Sequence, residues 1–123
     1  MPAIQEHLTK AAHNEQFVKT LTSDTTRFLD WAITGVCYSA LHHVDAYLAT
    51  RGIHPKRHSA RSGKPGRNDY VRWFLRPIYE GYRDLDDLSR AARYTPKQFS
   101  FKDVQDCLEI LQHIHQYVQS HLL

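Results

Sequence analysis

The chain lacks any apolar run approaching the roughly 20 residues that a membrane-spanning helix needs, so no membrane span is expected. Its opening stretch, MPAIQEHLTK, has neither an apolar centre nor a small-residue cleavage site, so no secretory leader is expected either. Cysteine is scarce. The two present, Cys37 and Cys107, sit inside apolar helical patterns and form no spaced framework. That excludes a disulfide scaffold and points to buried reduced thiols and a cytoplasmic location. Strand-period alternation, internal repeats and low-complexity tracts are also missing, which excludes all-β and solenoid architectures. One further absence is local: no acidic residue lies between Asp45 and Asp69.

That acid-free interval holds Arg51, Lys56, Arg57, Arg61, Lys64 and Arg67, together with His54 and His58. The whole chain carries only +3, so the remainder is net acidic and the basic charge is concentrated in one segment. Concentrated cation attracts phosphate. The rest of the composition is ordinary for a globular chain, with 41% hydrophobic and 24% charged residues in 123, and fits one domain over residues 1–123.

Four segments show helical periodicity. The first, from about Pro2 to Leu21, carries a thin stripe of Ile4, Leu8, Ala11, Ala12, Glu15 and Val18 and reads as a peripheral helix. Ser23 or Asp24 can cap the second, from about Thr25 to Arg51, which is apolar on nearly every side and therefore central or shared with a partner. Gly52 and Pro55 end it. Residues 52–66 contain three of the five glycines and two of the five prolines, and read as a long, mobile basic loop. A third segment, from about Asn68 to Tyr94, repeats apolar residues at spacings of three and four, with Pro77 implying a kink or a short first piece. Ser100, with Asp103 three residues on, caps a last helix whose stripe is Val104, Leu108, Leu111, Ile114, Val118 and Leu122. The expected fold is all-α: an up-and-down bundle of four main helices with the basic loop between helices two and three.

Arg51, His54, His58, Arg61 and Arg67 are residues that can surround a phosphate. Histidine serves as acid or base near neutral pH, and arginine offers a planar fork to developing negative charge. The plainer account of the same residues is a solvated basic loop. Tyr38, His42 and Asp45 share one face of helix two and read first as a satisfied core network, second as an oriented imidazole. Nine histidines invite a metal, and His42, His43 and Asp45 can meet His113, His115 or His121 across helices. No paired-ligand spacing such as His-Glu-x-x-His is present, so neither metal nor cofactor is expected. The run Arg83, Asp84, Asp86, Asp87, Arg90 and Arg93 reads as a solvent face of helix ion pairs or as the wall of a dimer cleft. Tyr70, Trp73, Phe74, Tyr79 and Tyr82 read as core or dimer surface before a base-stacking platform.

Asp30-Trp31-Ala32, followed by Cys37-Tyr38-Ser39-Ala40-Leu41-His42-His43-Val44-Asp45-Ala46-Tyr47-Leu48, resembles the second helix of HEPN (higher eukaryotes and prokaryotes nucleotide-binding) domains. Leu88-Ser89-Arg90-Ala91-Ala92-Arg93-Tyr94 resembles the end of that family's third helix, slightly compressed. Gly52-Ile53-His54-Pro55 and Arg67-Asn68 are similar to a prokaryotic branch of small standalone members. The resemblance covers residues 30 to 95. It implies a homodimer formed through helices two and three, and an RNA- or nucleotide-associated protein. It also implies a metal-independent ribonuclease in a toxin–antitoxin or defence system, or a partner of a nucleotidyltransferase-fold protein. The family's signature, Arg then four to six residues then His, is matched here by Arg51 and His58 as the catalytic pair. The late arginines, Arg90 and Arg93, have no His at that spacing. Binding is assigned to His54, Arg57, Arg61, Lys64, Arg67, Asn68, Arg90 and Arg93. The alternative is a non-enzymatic dimeric module that binds a partner protein or nucleotide.

Overall fold

The computed structural model describes residues 3–21 and 28–122. Five helices follow one another: α1 (Ile4–Leu21), α2 (Leu29–Thr50), α3 (Arg67–Phe74), α4 (Arg76–Tyr94) and α5 (Phe101–His121). The described residues contain no strand, only an isolated bridge between Arg61 and Lys64. None of the helices is long and apolar enough to cross a membrane.

The α2 helix is the axis of the molecule and packs against α1, α4 and α5. Its burial runs almost without interruption from Ala32 to Leu48, as its all-round apolar sequence requires. Packed around it are Val71 and Leu75, then Ile78, Tyr82 and Leu85 from α4, and Val104, Leu111, Ile114 and Val118 from α5. Both thiols are free and buried, and burial pushes Cys37 up to about 11 and Cys107 up to about 12.

The expected caps at Ser23 and Asp24 lie outside the described residues. On α1 the expected stripe is shifted: His7, Ala11 and Val18 are buried, whereas Ile4 and Ala12 are exposed. Gly35 lets α1 approach α2 closely, since a Cβ there would lie 2.7 Å from Val18 Cγ2. The Ser39 hydroxyl donates to the Ala11 carbonyl at 2.9 Å across the same contact.

The third segment is two helices. The Leu75 N–H completes α3 on the Val71 carbonyl at 2.8 Å, and the Ile78 N–H opens α4 on the Leu75 carbonyl at 3.0 Å. Pro77 therefore falls in the first turn of a new helix, where its missing N–H and fixed φ cost little. At the start of α5, Ser100 and Asp103 exchange hydrogen bonds of 3.1 and 2.8 Å, a complete capping box.

Candidate nucleic-acid interface and the ion pair behind it

Residues 51–66 join α2 to α3, and local hydrogen bonds hold them. Gly52, at φ +72°, leaves α2 in the left-handed region, and the Ile53 N–H returns to the Leu48 carbonyl at 2.9 Å. Ile53 then packs on the core. Arg61 and Lys64 exchange two backbone hydrogen bonds of 3.0 Å around Ser62 and Gly63, both at positive φ, which makes a tight turn of the primed hairpin kind. The far end is pinned by Arg67 N–H to Arg57 O at 2.7 Å and Asn68 N–H to His58 O at 2.8 Å. The sequence offered glycine, proline and charge here, and little sign of these anchors.

Behind this segment lies a buried ion pair. Arg67 Nε donates to Asp45 Oδ1 at 2.6 Å and an Arg67 terminal nitrogen donates to Oδ2 at 3.0 Å. The same nitrogen reaches the Pro55 carbonyl at 3.2 Å, and the other terminal nitrogen stands 3.3 Å from His58 Nδ1. Arg67 is 6% exposed, so its guanidinium is committed to the protein and closes residues 55–58 over α2. Burial, and next the Arg67 charge, hold His58 below the ordinary imidazole range.

In front of the pair the segment encloses a cleft of about 530 Å³. His54, Lys56, Arg57, Lys64 and Tyr70 line it, with no carboxylate in its wall. Lys56, Arg57 and Lys64 are exposed, whereas Tyr70 is half-buried and fixed edge-on to Trp73 at 5.7 Å between ring centres. Arg61 stands at the base of the turn, exposed.

The proposed catalytic pair separates in its contacts. The Arg51 guanidinium lies over the Tyr47 and Phe74 rings at 5.3 and 5.8 Å, whereas His58 faces Arg67. Asn68 is buried, its Oδ1 without a partner. On α4, Arg90 approaches Asp86 at 3.3 Å, and Arg93 donates to the Ser89 carbonyl and to the Tyr38 hydroxyl at 3.3 and 3.1 Å. Tyr38, His42 and Asp45 form no network among themselves: Tyr38 meets Arg93, His42 Nδ1 meets His7 Nδ1 at 3.0 Å, and Asp45 meets Arg67. Among the five aromatics, Tyr82 is core, Tyr70 and Tyr79 flank it, and Trp73 and Phe74 are exposed.

Two features were missed from sequence. Tyr82, Asp86 and Ser89, spaced by four and three on α4, bury a polar stripe among Ile78, Leu85 and Ala92. The Tyr82 and Ser89 hydroxyls make no well-directed hydrogen bond, lying beside Arg67 and Cys37 respectively, and Asp86 Oδ2 has only the poorly directed approach of Arg90. Polar residues at core spacing inside a charged run were the available signal. The second is Glu15, which meets His43 Nε2 at 2.9 Å and His115 Nδ1 at 3.6 Å. Comparison with family models, with curated protein sequences and with solved structures finds no match to this chain.

Proposed function

We propose that the chain is a HEPN-like homodimeric protein that holds RNA or a nucleotide in the cleft between residues 52 and 70. The observation that carries this reading is the cleft wall: three exposed cations and an anchored tyrosine ring, with no acidic side chain among them. Lys56, Arg57 and Lys64 supply phosphate contacts without base readout, and Tyr70 supplies a stacking face open to any base. The hydrogen bonds that pin the segment set the spacing of the cations before ligand arrives, which lowers the entropy lost on binding. Arg61 and Arg90 are further exposed cations outside the cleft.

Within this reading the protein acts as a metal-independent ribonuclease or as one half of a toxin–antitoxin pair with a nucleotidyltransferase-fold partner, in the cytoplasm. His58 is the base, and burial and Arg67 favour its neutral form, the form that accepts a proton. The non-enzymatic alternative, a dimeric module that binds a partner protein or nucleotide, is favoured by one observation. Arg51 and Arg67 are engaged with Tyr47, Phe74 and Asp45, so neither is free to stabilise a transferring phosphate.

Filter binding of single-stranded RNA at two salt concentrations tests the cleft. Wild type should lose affinity steeply as salt rises, and the Lys56→Ala/Arg57→Ala/Lys64→Ala variant should flatten the log–log slope by about two units. A variant that binds as wild type does would remove the proposal. Loss of RNA cleavage in His58→Ala, with binding retained, would separate the ribonuclease from the interaction module.

A further inference from the structure

On the side of α2 that faces α1 and α5, three side chains from three helices converge: Glu15 of α1, His43 of α2 and His115 of α5. Their ligand atoms all lie within 4.8 Å of one another. Glu15 Oε1 is 2.9 Å from His43 Nε2 and 3.6 Å from His115 Nδ1. Ligand atoms at about 2.1 Å from a tetrahedral ion are separated by roughly 3.4 Å, and the two distances to Glu15 fall on either side of that value. The Ser39 hydroxyl, whose single proton is directed to the Ala11 carbonyl at 2.9 Å, lies 3.3 Å from the same Glu15 oxygen.

His43 is 3% exposed and presents Nε2 to Glu15, while its Nδ1, on the other edge of the ring, is buried without a partner. The polar group is not sealed. A cavity of about 210 Å³ opens beside it, walled by the three residues and by Leu8, Val118 and Leu122.

The second candidate cluster, His7, His42 and Asp45, is the poorer site. Asp45 already neutralises Arg67 through two hydrogen bonds, and Lys10 and Arg67 both raise the positive potential at His42. An incoming dication would meet a site whose only negative charge is already paired. Glu15 faces the two imidazoles, at 2.9 and 3.6 Å.

We propose that Glu15, His43 and His115 are the protein ligands of a divalent transition-metal ion of the Zn2+ class. The ion joins α1 to α2 and α5 and leaves an outer coordination position open to the cavity. Two imidazoles and one carboxylate suit a borderline-soft dication over Mg2+ or Ca2+, which prefer all-oxygen shells. The two rings are stacked, with centroids 4.3 Å apart and planes 24° apart, so they must splay for both lone pairs to meet one ion. The His115 side chain is 42% exposed and has the freedom to make that rotation, while buried His43 holds its place.

The metal-free protein titrated with Co2+, followed by visible absorption and then by displacement with Zn2+, tests the site. Wild type should take up one equivalent per chain, show the intense visible bands of a low-coordinate ion, and gain thermal stability with Zn2+. Since removal of an outer-sphere partner alone commonly costs 10–100-fold in affinity, His115→Ala and Glu15→Gln should each weaken binding by more than about tenfold. Both side chains are partly exposed, so the variants should remain folded, which far-ultraviolet circular dichroism checks. His7→Ala should titrate as wild type does. Absence of saturable uptake, uptake unchanged in His115→Ala and Glu15→Gln, or uptake lost in His7→Ala would each overturn the assignment.

Discussion

Asp45 and Arg67 stand 22 residues apart in sequence and face one another through two hydrogen bonds, of 2.6 and 3.0 Å, each residue 6% exposed. The pair ties the last turns of α2 to the first residue of α3, and the whole basic segment is folded over it. Removing one partner leaves an uncompensated charge in the interior. Asp45→Asn or Arg67→Met should therefore destabilise the fold by about 3–5 kcal/mol, whereas the double variant should cost clearly less than the sum. Urea denaturation of the four proteins measures the coupling. Additive costs would mean that the pair is not a unit.

His58 gives the protein a stability that depends on pH. Burial and Arg67 depress its folded pKa below 6.5, with Arg90 opposing protonation as well and Asp86 and Asp45 favouring it. The unfolded state then binds more protons than the folded one, so the slope of stability against pH is positive there. Stability is fully present above about pH 6.5 and is lost as pH falls through the folded pKa. His58→Gln should flatten the decline between pH 7 and 5 in a series of thermal melts. His42 and His115 are depressed in the same direction, so part of the slope should remain.

Much of the bundle was legible because helix periodicity and capping are local. The three-and-four spacing of α5, the Ser100–Asp103 box and the all-round apolarity of α2 each follow from residues within a turn or two. The split between α3 and α4 was half-legible. Proline at position 77 clashes with the carbonyl four residues earlier, which forbids a helix running through. Where the chain would restart was decided by burial of Leu75. The charged run on α4 reads from sequence as a solvent face or as the wall of a dimer cleft, yet Asp86 is 2% exposed, because position 86 shares the face of Tyr82 and Ser89. Partnerships across helices were the hardest to read. Arg67 was one cation among six, and nothing nearby in sequence says that its partner is Asp45. Glu15 sat on a thin stripe, and its meeting with His43 and His115 exists only once three helices have packed.

Gly66 supports the basic segment by close approach. A Cβ at this position would collide with the backbone of Ser59 and His58, which cannot yield as a flexible side chain would. Gly66→Ala should therefore separate residues 58–59 from the start of α3, destabilising the protein by about 1–3 kcal/mol. RNA affinity should fall with it, because the hydrogen bonds from Arg67 and Asn68 to Arg57 and His58 set the cleft. Gly63→Ala, at φ +77° with open space around it, should cost stability through backbone strain alone and leave that contact intact. Equal effects of the two substitutions on RNA binding would show that the close approach does not shape the cleft.

The proposed homodimer would place its contact on an aromatic face that the single chain leaves uncovered. Trp31 and Tyr38 lie seven residues apart on one side of α2, 54% and 40% exposed, and Tyr94 at the end of α4 is 77% exposed. Arg93 lies over the Tyr38 and Tyr94 rings at 5.7 and 5.0 Å, which joins the two helices into one surface. Large aromatics with an arginine between them are the composition of an interface centre. Light scattering at micromolar concentration should give twice the chain mass of 14.4 kDa. Trp31→Glu should return the mass to that of one chain by placing a charge where an apolar contact forms. Trp31 is exposed in the single chain, so helicity should be retained and the loss should be of association alone. Trp73→Glu is the matched control, since Trp73 is 53% exposed at the end of α3 near the basic cleft, and it should leave the dimer whole. A monomer mass for wild type would sink the dimer. A dimer lost in Trp73→Glu and kept in Trp31→Glu would move the interface to the other side of the bundle.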